Sequence, residues 1–406
     1  MTVRPQIWVG IDVGKAAHHA CAIDSDGKVV FSQKIGNDQH AVEALIARAA
    51  KSAQQVQWAV DPTSPMALLL ITVLLTAGQD VIYVPGQVTN SMARGFRGEG
   101  KTDAKDARVI AQTARLRNDL SQIAMPDELV VAVTQLTSYR TDLMSEWVAG
   151  VNRLRSLLGS IFPALEAAFD YTVRTPLILV AGMCTPAEIR AAGIDGLTTY
   201  LAQNKAWPAG IGKTAAAAHA AAVAQDLALP GEADTAMLIK RQATKLLDLD
   251  HEIKELDKLI ATRFRQHPWA KIIESLPGMG PGLGAEFLVV TGGELASFAT
   301  AGRLASYAGL VPVPRDSGRV SGNLRRPKRY SRRLRRVFYM AALSSIGPAY
   351  RDGPSRRFYD RKRSERLIHT QALLALARRL VDLLWALLRD GREFTLDTPN
   401  PVATAA

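Results

Sequence analysis

The order of strand and helix patterns in the first third of the chain restricts the fold more than any other part of the sequence. The run IWVGIDVGK is typical of a buried strand, and HHACAIDSDGKVVFSQKI contains two strand-like runs joined at Asp26 and Gly27, a pair that favours a hairpin turn. Helical and β-rich runs then alternate through DQHAVEALIARAAKS, VQWAVD, SPMALLLITVLLTAG and DVIYVP. We therefore predict an α/β domain with a mixed sheet and helices on its faces.

This order suits a ribonuclease-H-like arrangement, although order alone does not separate it from other α/β folds. From about Glu128 the pattern becomes helical, and residues 163–230 are rich in Ala, Gly and Thr without a chemical motif. A short heptad seam of about two repeats follows, formed by Leu246, Leu249, Ile253, Leu256 and Ile260. The seam could pack within the chain or against a second copy.

The basic charge is concentrated in one segment. The chain has a net charge of +12, and residues 315–366 contain seventeen Lys and Arg against four acidic residues, so this segment carries the whole excess. A cluster of this kind indicates contact with phosphates, and the plainer interpretation is a solvated basic face. The candidate nucleic-acid-binding residues are Arg315, Arg319, Arg325, Arg326, Lys328, Arg329, Arg332, Arg333, Arg335 and Arg336.

Few features suggest export or a membrane. Only Cys21 and Cys184 occur, without a pairing framework, which is typical of a reducing cytoplasm. The N-terminal residues lack the pattern of a signal peptide, and the longest apolar run, MALLLITVLL, is much shorter than the roughly 20 residues that a membrane helix needs. We expect a cytoplasmic protein with no membrane span, associated with the bacterial nucleoid when active.

Four aspartates are placed where they could meet. Asp12 and Asp61 each end a strand pattern, and Asp103 and Asp106 lie three positions apart at the start of a helix pattern, on one face. Each also has a structural explanation, such as a favourable first-turn charge or a turn before a proline. If the two strands are neighbours, the four carboxylates converge and need a cation such as Mg²⁺, which prefers oxygen ligands.

Two further motifs lie near the basic segment. The run LPGMGPGLG precedes an apolar helix pattern and is similar to a helix-hairpin-helix turn, in which backbone N–H groups hold a phosphate. Ser317 lies in RDSG between Arg315 and Arg319, whose charges could offset that of an attacked phosphate. A serine in such a loop is usually only a loop residue, and Ser321 repeats the Ser-Gly pair.

Together these motifs resemble those of the DEDD insertion-sequence transposases, the bridge-RNA-guided recombinases. The resemblance rests on GIDVGK, AVDPTS and KTDAKDAR, followed by LPGMGPGLGAEFLVV, FATAGRLASYAGLVPVPRDSG and SRRLRRVFYMAAL. It implies a RuvC-like domain joined to a C-terminal transposase domain that supplies a nucleophilic serine. The acids map to Asp12, Asp61, Asp103 and Asp106, and the serine to Ser317. Asp61 departs from the family pattern, in which the second acid is usually Glu.

The resemblance also implies domains and partners. We expect a RuvC-like domain at 1–125, a helical linker with a coiled-coil segment at 126–268, a mostly helical transposase domain at 269–395 and a tail at 396–406. The expected activity is Mg²⁺-assisted cleavage and rejoining of donor and target DNA through a phosphoserine intermediate. A non-coding bridge RNA would guide it, within a homo-oligomer that the family forms as a tetramer.

Three alternatives remain open from the sequence. A RuvC-like nuclease would use the acids and water and leave Ser317 without a role. An actin-like kinase could begin with GIDVGK, but we find no second Asp-Gly phosphate loop. A non-catalytic RNA-binding protein would tolerate replacement of all four acids.

Overall fold

The computed structural model describes residues 6–61, 65–93, 102–125, 127–317 and 321–395. It divides into two compact units: Met1–Val131 with Thr291–Ala299, and Ala132–Val290 with Thr300–Ala406. The first unit contains a mixed sheet and the second is mostly helical. The predicted succession of an α/β region and a helical region is therefore confirmed.

The sheet of the first unit has five strands in the order β3-β2-β1-β4-β5. Its strands are β1 (Gln6–Asp12), β2 (Ala17–Ile23), β3 (Val29–Gly36), β4 (Gln55–Val60) and β5 (Asp80–Tyr83). The β1–β2 and β2–β3 pairs are antiparallel, whereas β4 pairs parallel with β1 and with β5. The two pairs that follow in sequence are hairpins, and the parallel pairs need crossovers, which the helices supply.

Helices cover both faces of this sheet. They are α1 (Gln39–Ser52), a short 3-10 helix (Pro65–Ala67), α2 (Leu68–Thr76), α3 (Gly86–Ala93) and α4 (Asp103–Leu116). Val9 and Ile11 of β1 belong to the core with α1 and α2. Cys21 and Ile23 of β2 instead pack against α4. Because side chains alternate between the two faces along a strand, Gly10 and Asp12 face α4.

The second unit is built from helices and one two-stranded ribbon. The helices in the middle of the chain are α5 (Glu128–Ile161), α6 (Pro163–Ala168), α7 (Arg174–Gly182), α8 (Pro186–Gln203), α9 (Pro208–Val223) and α10 (Glu232–Phe264). They are followed by α11 (Ala270–Ser275), α12 (Pro281–Thr291), α13 (Ala301–Tyr307), β6 (Val313–Pro314), β7 (Leu324–Arg325), α14 (Arg332–Ser344), a 3-10 helix (Pro348–Tyr350), α15 (Pro354–Ser364) and α16 (His369–Asp390).

The predicted heptad seam is covered within the chain. All five of its residues on α10 are buried. Helix α5 packs closely on α10, because a Cβ atom added to Gly150 of α5 would stand 2.8 Å from the Leu246 side chain. Helix α7 also packs on α10. The seam therefore closes the core of the second unit, which answers the alternative that the sequence left open.

Among the described residues, no single helix has the length and apolarity to cross a bilayer. The helices α7 and α8 meet the criterion together only as a pair bent by 117°. The residues from Thr175 to Val180 in α7 are buried in the protein.

Candidate active site

The register of the sheet brings Asp12 and Asp61 together. The parallel pairing of β1 with β4 ends at Gly10 with Ala59 and Ile11 with Val60, so Asp12 and Asp61 are the next residues on adjacent strands. Neighbouring strands are about 4.8 Å apart. Side chains alternate between the two faces of the sheet. Ala59 packs against α4 and Val60 belongs to the core on the other face, so Asp61, two residues after Ala59, and Asp12, one residue after Ile11, lie on the α4 side. The two strands are neighbours, which was the condition for the carboxylates to meet.

Helix α4 lies directly on these strands. A Cβ atom added to Gly10 would stand 2.3 Å from the carbonyl oxygen of Ala107 and 2.3 Å from the backbone nitrogen of Ala111, so only glycine allows this approach. Ala107 and Ala111 are completely buried. The contact fixes the first turn of α4, which carries Asp103 and Asp106, near the ends of the strands.

The start of α4 is defined by a side-chain cap. The hydroxyl of Thr102 accepts a hydrogen bond from the backbone N–H of Lys105 at 3.2 Å. A capped helix end presents its first-turn carboxylates in a fixed orientation. Asp106 is half-buried and Asp103 is exposed.

The carboxylates affect one another electrostatically. Burial raises the pKa of Asp61 above its ordinary value, and the nearby charges of Asp12 and Asp106 raise it further. Since like charges act in this way only at short range, three of the four predicted acids lie in one neighbourhood. Asp103 lies one turn before Asp106 on the same helix and is not among the charges acting on Asp61.

Gly86 is a member of this site that the sequence did not identify. A Cβ atom at Gly86, the first residue of α3, would stand 2.9 Å from Oδ1 of Asp61. The Asp61 carboxylate therefore lies against the start of α3, where a Cβ atom would displace it. The only sequence signal was the glycine that follows the strand pattern DVIYVP.

His19 also lies on the acid side of the sheet. It is the register partner of Asp12 on β2, and its Nε2 lies 2.9 Å from the hydroxyl of Ser32. His18 faces the other side, where it is buried and its Nε2 lies 3.1 Å from Oδ1 of Asn37. The two adjacent histidines thus face opposite sides of the sheet, as the alternation along a strand requires.

The donor chemistry of the acid cluster fits a hard divalent cation. The charges of Asp12 and Asp106 raise the pKa of Asp61, and a cation between these carboxylates would offset their repulsion. Within the described ranges, no group of three or more His, Cys, Asp or Glu side chains is arranged to hold a metal ion. Mg²⁺ does not need such a group, because it is commonly held by one or two carboxylates and completes its shell with water and substrate phosphate.

Ser317 lies on a short ribbon of the second unit. The strands β6 and β7 pair antiparallel, and the loop between them is held by a hydrogen bond from the Arg315 N–H to the Asn323 carbonyl at 2.9 Å. The Asn323 N–H donates to the Asp316 carboxylate at 3.0 Å. Ser317 is exposed at this loop. Arg319 lies outside the described residues.

The predicted basic residues fall into two groups. Arg333 and Arg336 of α14 pair with Glu286 of α12 at 3.9 and 2.8 Å, and the Arg335 guanidinium donates to the Gly309 carbonyl and stacks on Tyr330. The exposed residues that form no ion pair in the described part of the chain are Arg315, Arg325, Arg326, Lys328, Arg329 and Arg332. Within the described ranges no carboxylate neutralises the second group, although Arg326 donates to the Tyr330 hydroxyl at 3.4 Å, whereas Arg333 and Arg336 of the first group are paired with Glu286.

The glycine-rich run forms a turn between two helices, as predicted. It joins α11 to α12, and Gly278 adopts φ +84°. A Cβ atom there would stand 2.2 Å from the Ala341 carbonyl of α14, so the turn packs directly on that helix. Gly280 and Gly282 have no neighbouring atoms in the space that a side chain would occupy.

Comparison with known proteins gives consistent matches. A family model described as a transposase matches residues 9–163, and one described as the transposase IS116/IS110/IS902 family matches residues 270–360. The chain is 50% identical to the 44.8 kDa protein of insertion element IS116 from Streptomyces clavuligerus over 404 residues, 99% of each chain. It is 46% identical to the 42 kDa protein of insertion element IS900 from Mycobacterium paratuberculosis, over 98% of each.

A more distant match concerns a protein with a different named role. The pilin gene-inverting protein of Moraxella lacunata is 30% identical over 161 residues, which are 38% of this chain and 47% of that protein.

Proposed function

The chain belongs to the IS116/IS110/IS902 family of transposases, which cleave and rejoin DNA, and from this premise we propose how its residues carry out the reaction. The proposal combines a RuvC-like acid site in the first unit with a serine nucleophile, Ser317, in the second. Family membership supports the transposase interpretation and argues against the kinase alternative. It leaves open whether serine or water attacks the DNA.

One observation carries the acid site. Asp12 and Asp61 follow each other across adjacent parallel strands, and the charge of Asp106 on α4 acts on Asp61. Bringing several half-buried carboxylates together costs stability unless a cation binds them, so their convergence is best explained by a ligand that they bind. Asp103 completes the set as an exposed residue able to reach the substrate side.

Mg²⁺ would be held at Asp12, Asp61, Asp103 and Asp106, with one or two of these carboxylates bound to the ion directly and the others through its water shell. The ion would supply charge stabilisation and orientation of the scissile phosphate. The residues of the chain do the rest: Gly10 and Gly86 allow α4 and α3 to come close enough to position the carboxylates. The shorter Asp61, in place of the usual Glu, leaves room at this position for a bridging water.

Ser317 would act as the nucleophile. Its Oγ attacks phosphorus and loses its proton, the bond from phosphorus to one bridging sugar oxygen breaks, and that oxygen gains a proton and leaves as a hydroxyl. Attack by a hydroxyl of the partner strand on the phosphoserine ester reverses these changes. One phosphodiester is thus exchanged for another without an external energy source. Arg315 and Arg319 would offset the charge that develops on the phosphate.

Guidance by a bridge RNA and assembly into a tetramer belong to the same proposal. The exposed basic residues beside the ribbon support contact with nucleic-acid backbones, because none of them is neutralised by a carboxylate in the described ranges. The match to pilin gene-inverting proteins supports a recombination reaction that reseals what it cuts. We place the protein in the cytoplasm, where it would meet donor and target DNA.

The decisive experiment looks for DNA joined to protein. Wild-type protein, element RNA and end-labelled DNA are incubated with Mg²⁺ and separated under denaturing conditions. We expect a labelled protein band that Ser317→Ala abolishes and that Ser321→Ala, the matched control with the same loss of a hydroxyl, leaves in place. Asp106→Asn should remove both the band and the free cut product.

The nuclease alternative predicts a different pattern. If water is the nucleophile, Ser317→Ala cuts DNA as well as wild type and no protein-linked DNA forms in either. That result would overturn the serine step and leave the role of the acids intact.

A further inference from the structure

A cavity of about 580 Å³ lies in the second unit, outside the site described above. It is formed by α15, α16, the segment before α12 and the end of the described chain. Its lining residues are Leu276, Pro277, Pro354, Ser355, Arg357, Phe358, Arg361, Leu376, Arg379, Leu380, Leu383, Phe394 and Thr395. Neither Ser317 nor any of the four aspartates is among them. We call this cavity the Phe358 pocket.

The pocket is cationic. Three arginines line it, Arg357, Arg361 and Arg379, and no acidic residue does. Arg357 and Arg379 form no ion pair in the described ranges, and Arg361 has only a distant one, 3.8 Å from Glu365. The pocket therefore holds positive charge that the protein itself does not neutralise.

The arginines gather around one aromatic ring. The guanidinium carbons of Arg361 and Arg379 lie 5.1 and 5.3 Å from the centre of the Phe358 ring. The ring attracts these cations and holds them beside the pocket wall. Planar guanidinium groups fixed in this way can both stack on a flat ligand and donate to an anion.

A hydroxyl at the pocket wall can serve the same ligand. Ser355 is 7% exposed and lines the pocket, yet its side chain makes no hydrogen bond in the described part of the chain. It lies in the first turn of α15, whose N-cap, Gly353, provides no side-chain cap. The hydroxyl and the first-turn N–H groups are donors that an anion would satisfy.

The remaining wall is apolar. Leu376 and Leu380 of α16 and Leu276 before the glycine turn are buried, and Leu383 and Pro277 extend the same surface. A ligand that matches both this apolar wall and the arginines must combine a flat, weakly polar body with a compact anion. A nucleotide has both parts, a base and a phosphate.

We propose that the Phe358 pocket binds one unstacked nucleotide of a single-stranded segment of nucleic acid. The phosphate meets Arg379, Arg361 and Ser355, and the base lies against the guanidinium planes and the leucine wall. A base within a duplex is stacked on both sides and does not enter, so the pocket selects single strands. The proposal rests on the proposed handling of nucleic acid but not on the serine step.

The test measures the binding of a fluorescein-labelled single-stranded DNA, a single-stranded RNA of the same length and the corresponding DNA duplex. The variants are Arg379→Gln and Phe358→Leu. The matched control is Arg351→Gln, which removes the same charge from an exposed arginine outside the pocket. Because Arg379 is exposed, its variant tests the pocket even if Phe358→Leu lowers stability.

We expect Arg379→Gln to weaken binding of one or both single strands about tenfold or more, as for loss of a charge-assisted hydrogen bond. For Arg379→Gln, the slope of the logarithm of affinity against the logarithm of salt concentration should decrease by about one, the value for one phosphate contact. Duplex binding should change no more than it does for Arg351→Gln. Phe358→Leu should show the same selectivity for single strands.

Other outcomes overturn the proposal. If Arg379→Gln and Arg351→Gln weaken single-strand binding equally, the pocket is not used. If Arg379→Gln weakens the binding of single strands and of the duplex equally, Arg379 makes only a general backbone contact. If adenosine monophosphate alone binds wild type as tightly as the strand does, the pocket is a free-nucleotide site. If wild type binds no nucleic acid at all, the proposed function itself fails, which the first three outcomes leave untouched.

Discussion

Replacing Gly10 by alanine tests how the acid site is held together. The new Cβ atom would stand 2.3 Å from the carbonyl oxygen of Ala107 and from the backbone nitrogen of Ala111, against an ordinary contact distance of 3.4 Å or more. Both obstacles are backbone atoms of α4, so no side chain can rotate away. The helix must move by about 1 Å from the strand, the difference between those two distances.

The cost follows from overpacking of a buried contact. Such substitutions destabilise by about 1–3 kcal/mol, and rigid backbone on both sides places Gly10→Ala at the upper end. For a unit of this size that corresponds to a melting temperature lower by roughly 9 °C. Asp106 directly precedes Ala107, so the same displacement moves its carboxylate relative to Asp12 and Asp61. Misplacement by about 1 Å can lower the rate about a hundredfold.

Circular dichroism monitors the thermal unfolding of the first unit within the full-length protein. The rate of DNA cleavage is measured below the unfolding temperature. Gly159→Ala is the control, since no atom lies within 4 Å of its added Cβ atom on α5. Alanine there should stabilise by about 0.5–1 kcal/mol through helix propensity. A Gly10→Ala variant that melts and cleaves like wild type would refute the close seating of α4 on β1.

Other substitutions test neighbouring contacts. Gly86→Ala should lower DNA cleavage about tenfold or more with little loss of stability, because its Cβ atom meets only the Asp61 carboxylate; unchanged rates would contradict this. Gly278→Ala, at φ +84° and against the backbone of α14, should lower the free energy of unfolding by at least about 2 kcal/mol in urea titrations, whereas Gly282→Ala should be nearly neutral. Burial raises the pKa of Cys184 to about 12 from 9.0, so the native thiol keeps its proton when the unfolded one loses it. Its contribution to stability is complete below pH 9.0 and is lost between pH 9.0 and about pH 12, by about 1.4 kcal/mol per pH unit. Cys184→Ala should show a shallower alkaline decline, and an equally steep one would count against the burial argument.

Much of the architecture could be predicted because it depends on local periodicity. The hairpin at Asp26 and Gly27 joins β2 to β3, and the glycine turn joins two helices, both as expected from their residues. The heptad seam was recognised, but its partner was not, since an apolar stripe is equally suited to another part of the chain or to another copy. Only the packing of α5 and α7 on α10 decides this.

The sequence by itself determined which chemical groups the chain possesses: aspartates at the ends of two strand patterns and at a helix start, a serine beside arginines, and one strongly basic segment. Residue type and short-range periodicity carry that information. The tertiary structure alone decided which groups meet. The register of β1 with β4 brings Asp12 beside Asp61, and the absence of a Cβ atom at Gly10 and at Gly86 lets α4 and α3 approach them. The Phe358 pocket likewise arises only when α15 and α16 fold together, because contacts between residues distant in sequence leave no local pattern.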